Sequence, residues 1–224
     1  MDFIFMLTHH DKTVANCLEV YDSIVKIGLE HVGFKDVGVD HKTLRDLTQA
    51  IRKSGAISYV EVVSTSPESI RASIETAADL GVDRVLGGQD IAHAMETFAS
   101  KDMSYYPFPG RPVGHPTKLG GSSSEVERDS AKAMAAGCAG VDLLAFRATE
   151  ADPLDLIRAA RRGLGEDGYL IVAGSIDSRE RMRAIEEAGA DAFTIGSAIF
   201  EDSFAPGVKG VPAQCKEVLR ALGG

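Results

Sequence analysis

Two Gly-Ser pairs in the last quarter of the sequence have the residue types and spacing of an anion site. Gly174-Ser175 and Gly196-Ser197 each end a short apolar segment. Small residues leave backbone N–H groups accessible, and such groups at a strand-to-helix junction bind phosphate. One strand–helix unit separates the pairs, which predicts that they lie at neighbouring strand ends and share one phosphate. The alternative is that all four are ordinary turn residues.

Charged residues inside apolar segments indicate a second, catalytic group. Lys35 and Glu61 lie in adjacent predicted strands, and Arg147 ends a later one. Strand side chains alternate between the interior and the helix layer, and this alternation predicts that all three point inward. A buried charge is costly unless it is paired or used, so we expect acid–base or electrostatic roles near a substrate. A structural ion pair between Lys35 and Glu61 is the alternative.

Polar residues in two loops could complete this group. His9 and Asp11 follow the first predicted strand, where either could transfer protons, although Asp11 could equally cap the next helix. His115 and Lys118 lie in a glycine-rich loop at 110–123, which could close over an anionic substrate or remain solvated. No metal site is predicted, because adjacent histidines rarely bind one ion together, and no cofactor is expected.

The segments that must position these residues alternate between apolar strands and amphipathic helices, often with glycine at the helix end. Strands are predicted at 3–7, 31–37, 57–64, 84–87, 105–109, 143–147, 169–173 and 192–195. Helices are predicted at 13–27, 42–53, 67–80, 91–99, 124–136, 154–163, 179–188 and 213–222.

This alternation requires a parallel sheet covered by helices. Eight repeats predict an α/β protein with a single (β/α)8 TIM-barrel domain of the phosphate-binding type over residues 1–224. An open, doubly wound sheet would need a glycine-rich turn after strand 1, where the sequence instead has two histidines and an aspartate.

Composition narrows the possible partners. The chain has 24 basic and 33 acidic residues and a net charge of −9, which disfavours nucleic acid and anionic membranes. The three cysteines show no CxxC spacing, so a reduced, cytoplasmic setting is expected. We find no signal peptide and no apolar run of membrane-spanning length. Alanine- and glycine-rich helix faces are compatible with a homodimer.

The two Gly-Ser strand ends and the helix between them resemble the ribulose-phosphate binding barrels, a superfamily of sugar-phosphate and histidine- and tryptophan-biosynthesis enzymes. The resemblance implies a phosphate site at Gly174, Ser175, Gly196 and Ser197. The catalytic motifs differ. Residues 34–36 read Phe-Lys-Asp where the epimerases have His-x-Asp, and residues 59–63 lack the Asp-x-Lys-x-x-Asp of the decarboxylases. Lys35 is similar in position to the Schiff-base lysine of a furan-forming synthase of methanofuran biosynthesis.

These observations predict an enzyme that acts on a small phosphorylated sugar or carbonyl compound. Proton transfer next to a carbonyl, as in an isomerase or epimerase, is the leading hypothesis, with Glu61 as the base and Asp11 as the second candidate. Lys35 and Arg147 would stabilise the enolate oxygen. One alternative is a lyase that forms a Schiff base at Lys35. Another is a sensor that binds a phosphorylated metabolite without catalysis.

Overall fold

The computed structural model describes residues 1–223. Eight parallel strands form the barrel in sequence order: β1 Asp2–Met6, β2 His31–Lys35, β3 Ile57–Val62, β4 Arg84–Gly87, β5 Ser104–Tyr106, β6 Gly140–Leu143, β7 Tyr169–Val172 and β8 Ala192–Ile195. The helices are α1 Cys17–Ile24, α2 His41–Lys53, α3 Pro67–Leu80, α4 Ile91–Phe98, α5 Ser123–Ala135, α6 Pro153–Leu164, α7 Arg179–Glu187, α8 Ser197–Phe200 and α9 Val211–Leu222. The predicted (β/α)8 barrel is therefore confirmed.

The apolar residues form two separate layers, as alternation along each strand requires. The larger layer lies between the strands and the helices. The smaller layer fills the barrel interior and consists of Ile4, Met6, Tyr59, Leu86, Tyr106, Ile171 and Ala192. Gly33 makes this interior packing possible, because a Cβ there would lie 2.5 Å from Met6 Sδ and 3.0 Å from Tyr59 Cβ.

The amino-terminal end of the barrel is closed by a cation surrounded by aromatic rings. The Arg84 guanidinium lies 5.4 Å from the ring centre of Tyr59, 5.9 Å from that of Tyr106 and 5.3 Å from that of Tyr169. It also donates a hydrogen bond to the Tyr59 hydroxyl at 2.8 Å. This end is filled by side chains, so access to the interior is from the carboxyl ends of the strands.

The barrel closes weakly between β5 and β6. Within residues 1–223, two backbone hydrogen bonds join this seam, from Ala139 N to Tyr105 O and from Asp142 N to Pro107 O, both 3.1 Å long. Prolines have no N–H group to donate, and Pro107 and Pro109 follow β5 directly. They end β5 at Tyr106, earlier than the predicted strand.

Two short hairpins occur where the sequence predicted a helix start and a long loop. The first hairpin pairs Thr8–His9 with Lys12–Thr13, and the second pairs Arg111–Val113 with Lys118–Gly120. Both follow barrel strands and lie at the carboxyl end of the barrel. None of the helices in residues 1–223 is long and apolar enough to cross a membrane.

Candidate active site

The first hairpin delivers Asp11 to the mouth of the barrel. The Thr13 hydroxyl fixes this hairpin to β2 by accepting from Lys35 N at 2.8 Å and donating to Lys35 O at 2.7 Å. The turn residues His10 and Asp11 have φ values of 49° and 64°. These left-handed conformations match a tight two-residue turn that usually contains Asn-Gly. Asp11 does not cap α1, whose N-cap is Asn16; instead its side chain is buried.

A buried lysine joins two carboxylates in the centre of the mouth. Lys35 and Glu61 are directly paired residues of β2 and β3. The Lys35 ammonium lies 2.5 Å from Asp11 Oδ1 and 3.1 Å from Glu61 Oε2. All three side chains are at most 5% exposed. Their inward direction follows the strand alternation expected from the sequence.

Lys35 and Asp11 hold each other in their ionised forms. Burial alone would lower the pKa of Lys35, but the carboxylates of Glu61 and Asp11 outweigh it and raise that pKa. Burial opposes ionisation of Asp11, yet Lys35 and Arg147 together lower its pKa to about 2. Lys35 is therefore an ammonium and Asp11 a carboxylate at neutral pH.

Arg147 reaches the same group, but by a route that the sequence analysis did not predict. Strand β6 is Gly140–Leu143, so the predicted strand at 143–147 is wrong, and Arg147 ends a 3-10 turn at Ala145–Arg147. The apolar residues after Leu143 resembled a strand, but the backbone turns there. Arg147 Nη1 nevertheless lies 3.1 Å from Asp11 Oδ1.

The corrected position of β6 reveals an acidic residue that sequence reasoning missed. Asp142 lies on the interior face of β6 and is completely buried, and within residues 1–223 neither of its carboxylate oxygens has a hydrogen-bond partner. Burial, reinforced by the charge of Glu61, raises the pKa of Asp142 well above its ordinary value. The sequence signal for Asp142 is an aspartate within an apolar segment. A strand placed correctly at Gly140–Leu143 would have assigned its side chain to the barrel interior.

The second hairpin covers Asp11 from above. Thr117 N donates to Asp11 Oδ2 at 3.3 Å, and Arg147 donates to Thr117 O at 3.3 Å. His115 Nδ1 lies 3.7 Å from Asp11 Oδ2, whereas Lys118 is exposed and does not line the cavity described below. His9 also points elsewhere, because its Nε2 lies 3.0 Å from Glu201 Oε1.

One cavity of about 380 Å³ connects the charged group with both Gly-Ser pairs. Its lining includes Asp11, Lys35, Glu61 and Arg147 together with Gly174, Ser175, Gly196 and Ser197. The structure thus brings together the two groups that the sequence singled out separately. Such a cavity is large enough for a small metabolite.

Glycine is required at both strand ends by close neighbours. Gly174 has a φ of 78°, and a Cβ there would lie 2.5 Å from Arg147 Nε. A Cβ on Gly196 would lie 2.5 Å from Thr8 Oγ1. Ser197 begins α8, so its N–H group, like that of the next residue, has no acceptor within the helix.

Arg181 is a cavity residue that the sequence analysis did not single out. It lies in the first turns of α7 and donates to the Ser175 carbonyl at 2.6 Å and to Asp177 Oδ2 at 2.9 Å. Its guanidinium lies 5.0 Å from the ring centre of Phe146, which also lines the cavity. A fixed guanidinium beside the Gly-Ser turns adds positive charge where an anion would bind.

Solved structures with a similar fold include enzymes named for phosphorylated compounds. Orotidine 5'-phosphate decarboxylase from Pyrococcus horikoshii OT3 matches with 13% identity, a TM-score of 0.68 and coverage of 99% of both chains. 3-Hexulose-6-phosphate synthase matches with 18% identity, a TM-score of 0.69 and coverage of 99% of both chains. A structure described as native KDPGal matches with 15% identity, a TM-score of 0.65 and coverage of 100% of this chain and 97% of the other.

These likenesses show that the chain shares the (β/α)8-barrel fold of those proteins, as the alternation of strands and helices predicted. No protein-family model and no curated protein sequence matches the chain.

Proposed function

We propose that the protein is an enzyme that transfers a proton next to the carbonyl group of a small phosphorylated sugar or related metabolite. The observation that carries the proposal is the single cavity, with a buried lysine–carboxylate group at one end and two Gly-Ser turns at the other. The likeness in fold to enzymes named for phosphorylated compounds supports the same class of substrate.

The phosphate end of the substrate would bind between the two Gly-Ser turns. Backbone N–H groups at Ser175 and Ser197 and the Arg181 guanidinium are the donors available there. This contact lies away from the reacting carbon, so its binding energy would serve to position that carbon at the barrel mouth.

The reaction would begin when the Glu61 carboxylate removes a proton from the carbon next to the carbonyl. The electron pair of that C–H bond moves to the carbonyl oxygen, and the ammonium of Lys35 and the guanidinium of Arg147 stabilise the resulting negative charge. For isomerisation, Glu61 then gives its proton to the former carbonyl carbon, while the hydroxyl proton of the neighbouring carbon passes to the former carbonyl oxygen. For epimerisation, the original carbon instead takes a proton from water on the opposite face, and Glu61 releases its proton to solvent.

A Schiff base at Lys35 is the less favourable chemistry for this site. An amine must lose its proton before it attacks a carbonyl, and here Glu61 and Asp11 raise the pKa of Lys35. Borohydride treatment with a bound substrate should therefore give no covalent adduct. An adduct at Lys35 would replace the proposal with the lyase hypothesis.

A binding protein without catalytic activity would need the phosphate contacts but not the charged group. Lys35, Glu61 and Asp11 line the cavity at the interior end, where they contact any ligand that fills it. Burying three charges is costly without a use for them, which favours catalysis over sensing.

The test begins with a panel of sugar phosphates screened by thermal shift, because a ligand that binds the native state raises its stability. With the substrate found, Glu61→Gln should lower kcat about 10²-fold or more, as loss of a general base does. Glu68→Gln, at an exposed glutamate on α3, should leave kcat unchanged. Full activity of Glu61→Gln would remove Glu61 from the mechanism.

A further inference from the structure

A cluster of metal-binding side chains lies at the rim of the cavity. His9, His10 and Glu201 each offer one donor atom, and these atoms lie within 4.8 Å of one another. The His9 and His10 rings lie at an angle of 35° with centres 3.7 Å apart, and His9 Nε2 is 3.0 Å from Glu201 Oε1. The proposed proton transfer uses none of these side chains.

Elements that also build the active site hold the cluster in place. His9 pairs with Lys12 in the first hairpin, and its ring packs 6.0 Å from that of Phe200 at the end of α8. Glu201, which is 192 residues from His9, follows α8 directly and lines the cavity. Sequence alone showed the adjacent histidines but not the carboxylate that completes a donor set.

The turn at His10 explains how one hairpin serves both the cluster and the charged group. His10 and Asp11 both adopt left-handed conformations, as the two central residues of this type of tight hairpin turn do. The turn directs Asp11 into the barrel and leaves His10 beside His9 on the outside.

We propose that His9, His10 and Glu201 bind one divalent cation of the zinc type. Two imidazole nitrogens and a carboxylate oxygen form a donor set that zinc accepts, and three protein ligands leave a fourth position open. With zinc–nitrogen distances of about 2.0 Å, tetrahedral geometry requires the donor atoms to lie about 3.3 Å from one another. The side chains are exposed or half-exposed, so rotation can bring them together. The three cysteines are buried and do not compete.

The open coordination position could bind a ligand in the cavity, and this role of the cation rests on the proposed function. Because Glu201 shares the cavity lining with Gly196 and Ser197, a cation held by it lies on the phosphate side of the cavity. It would accept an oxygen of a phosphorylated ligand and add positive charge to a chain of net charge −9. Metal binding and anion binding would then strengthen each other.

The metal site is tested with the chelator-treated chain, by calorimetric titration with Zn²⁺ and by the visible absorption of Co²⁺. We expect one ion per chain and at least a tenfold loss of affinity in both His10→Ala and Glu201→Gln. His41→Ala is the matched control, because His41 is exposed and lies 3.1 Å from the Asp79 carboxylate without a second histidine. Circular dichroism checks the fold of each variant. Absence of stoichiometric binding, or equal affinity in all four proteins, would overturn the site.

The coupling is tested separately with inorganic phosphate. Phosphate added to the Co²⁺-loaded protein should change its visible spectrum, and prior Co²⁺ loading should lower the Kd for phosphate. An unchanged spectrum and Kd would overturn the coupling alone. Neither titration measures turnover, so loss of the metal site and failure of the proposed reaction are distinguishable.

Discussion

Lys35 is the residue on which the charged group depends. It separates the carboxylates of Asp11 and Glu61, both of which are buried with it. An ion pair of this kind adds little net stability compared with apolar residues, but removing one member leaves an uncompensated buried charge. The small net contribution of the group to stability agrees with the role proposed for it in the cavity.

Replacing Lys35 with methionine tests whether its charge is needed to stabilise the two buried carboxylates. We expect Lys35→Met to lower the free energy of unfolding by about 3–5 kcal/mol, because two buried carboxylates then face each other. Urea unfolding measures the change. Lys42→Met removes a lysine from the exposed pair with Asp46 and should leave the midpoint nearly unchanged.

A triple variant, in which Asp11→Asn and Glu61→Gln are added to Lys35→Met, distinguishes the effect of charge on stability from the effect of packing. It should recover much of the lost stability, since the three fully buried charges are then gone and only the partly exposed Arg147 remains charged. If the triple variant is as unstable as Lys35→Met, packing rather than charge explains the loss.

Asp142 makes the stability of the protein depend on pH. Burial raises its pKa well above the ordinary value of 3.8, so the folded state holds the proton more tightly than the unfolded state. The contribution of Asp142 to the free energy of unfolding is fully present below pH 3.8. It declines as pH rises toward the pKa of Asp142 in the folded state, by up to about 1.4 kcal/mol per pH unit. Asp142→Asn should remove this decline, so the stability of the variant relative to the wild type should increase as pH rises above about 4.

Chemical unfolding at several pH values measures this effect. Asp22→Asn, at an exposed position on α1, provides the control. Parallel stability profiles for the wild type and Asp142→Asn would show that Asp142 does not hold its proton in the folded state.

At the scale of elements, short turns after the barrel strands assemble the site. The first hairpin brings Asp11, the 3-10 turn after β6 brings Arg147, and the two Gly-Ser turns bring backbone N–H groups. Two of these elements touch directly, because Gly174 leaves the space that the Arg147 side chain occupies. A change in one turn should therefore alter the other end of the cavity.

Gly174→Ala tests this contact. The new Cβ would lie 2.5 Å from Arg147 Nε and displace that side chain, so we expect at least a tenfold weaker affinity for inorganic phosphate. Gly28→Ala is matched in φ, at 76° against 78°, and lies in the left-handed region, but a Cβ there meets nothing within 4 Å. Both variants should lose about 1–2 kcal/mol of stability from the left-handed backbone. Equal phosphate affinity by calorimetry would contradict the coupling between the turns.

At the scale of the whole molecule, the barrel is uneven in strength. Most neighbouring strands are joined by regular parallel ladders, whereas two backbone hydrogen bonds span the β5–β6 seam within residues 1–223. The prolines after β5 explain this difference, since they cannot donate to a ladder. Asp142, at the candidate site, donates one of the two bonds.

Native-state hydrogen exchange should detect this seam. The amides of Ala139 and Asp142 should exchange with a lower opening free energy than that of Met6 in β1, because fewer bonds must break to expose them. Uniform protection of all eight strands would show that the seam opens only with global unfolding.

The sequence alone determined the repeated elements, because strand and helix periodicity and glycine at helix ends are local signals. It also determined that Lys35 and Glu61 share the barrel interior, since alternation along a strand fixes the face of each side chain. Strand β6 shows where prediction from local sequence patterns fails. The apolar residues after Leu143 fit a strand equally well, and only pairing with β7 selects Gly140–Leu143.

The tertiary structure decided which distant residues meet. Asp11 joins Lys35 because a hairpin with an uncommon left-handed turn folds over β2. Glu201 reaches His9 across 192 residues because β8 closes the barrel beside β1. No local pattern encodes these approaches, because they depend on how the whole barrel closes and where each connecting turn leads the chain.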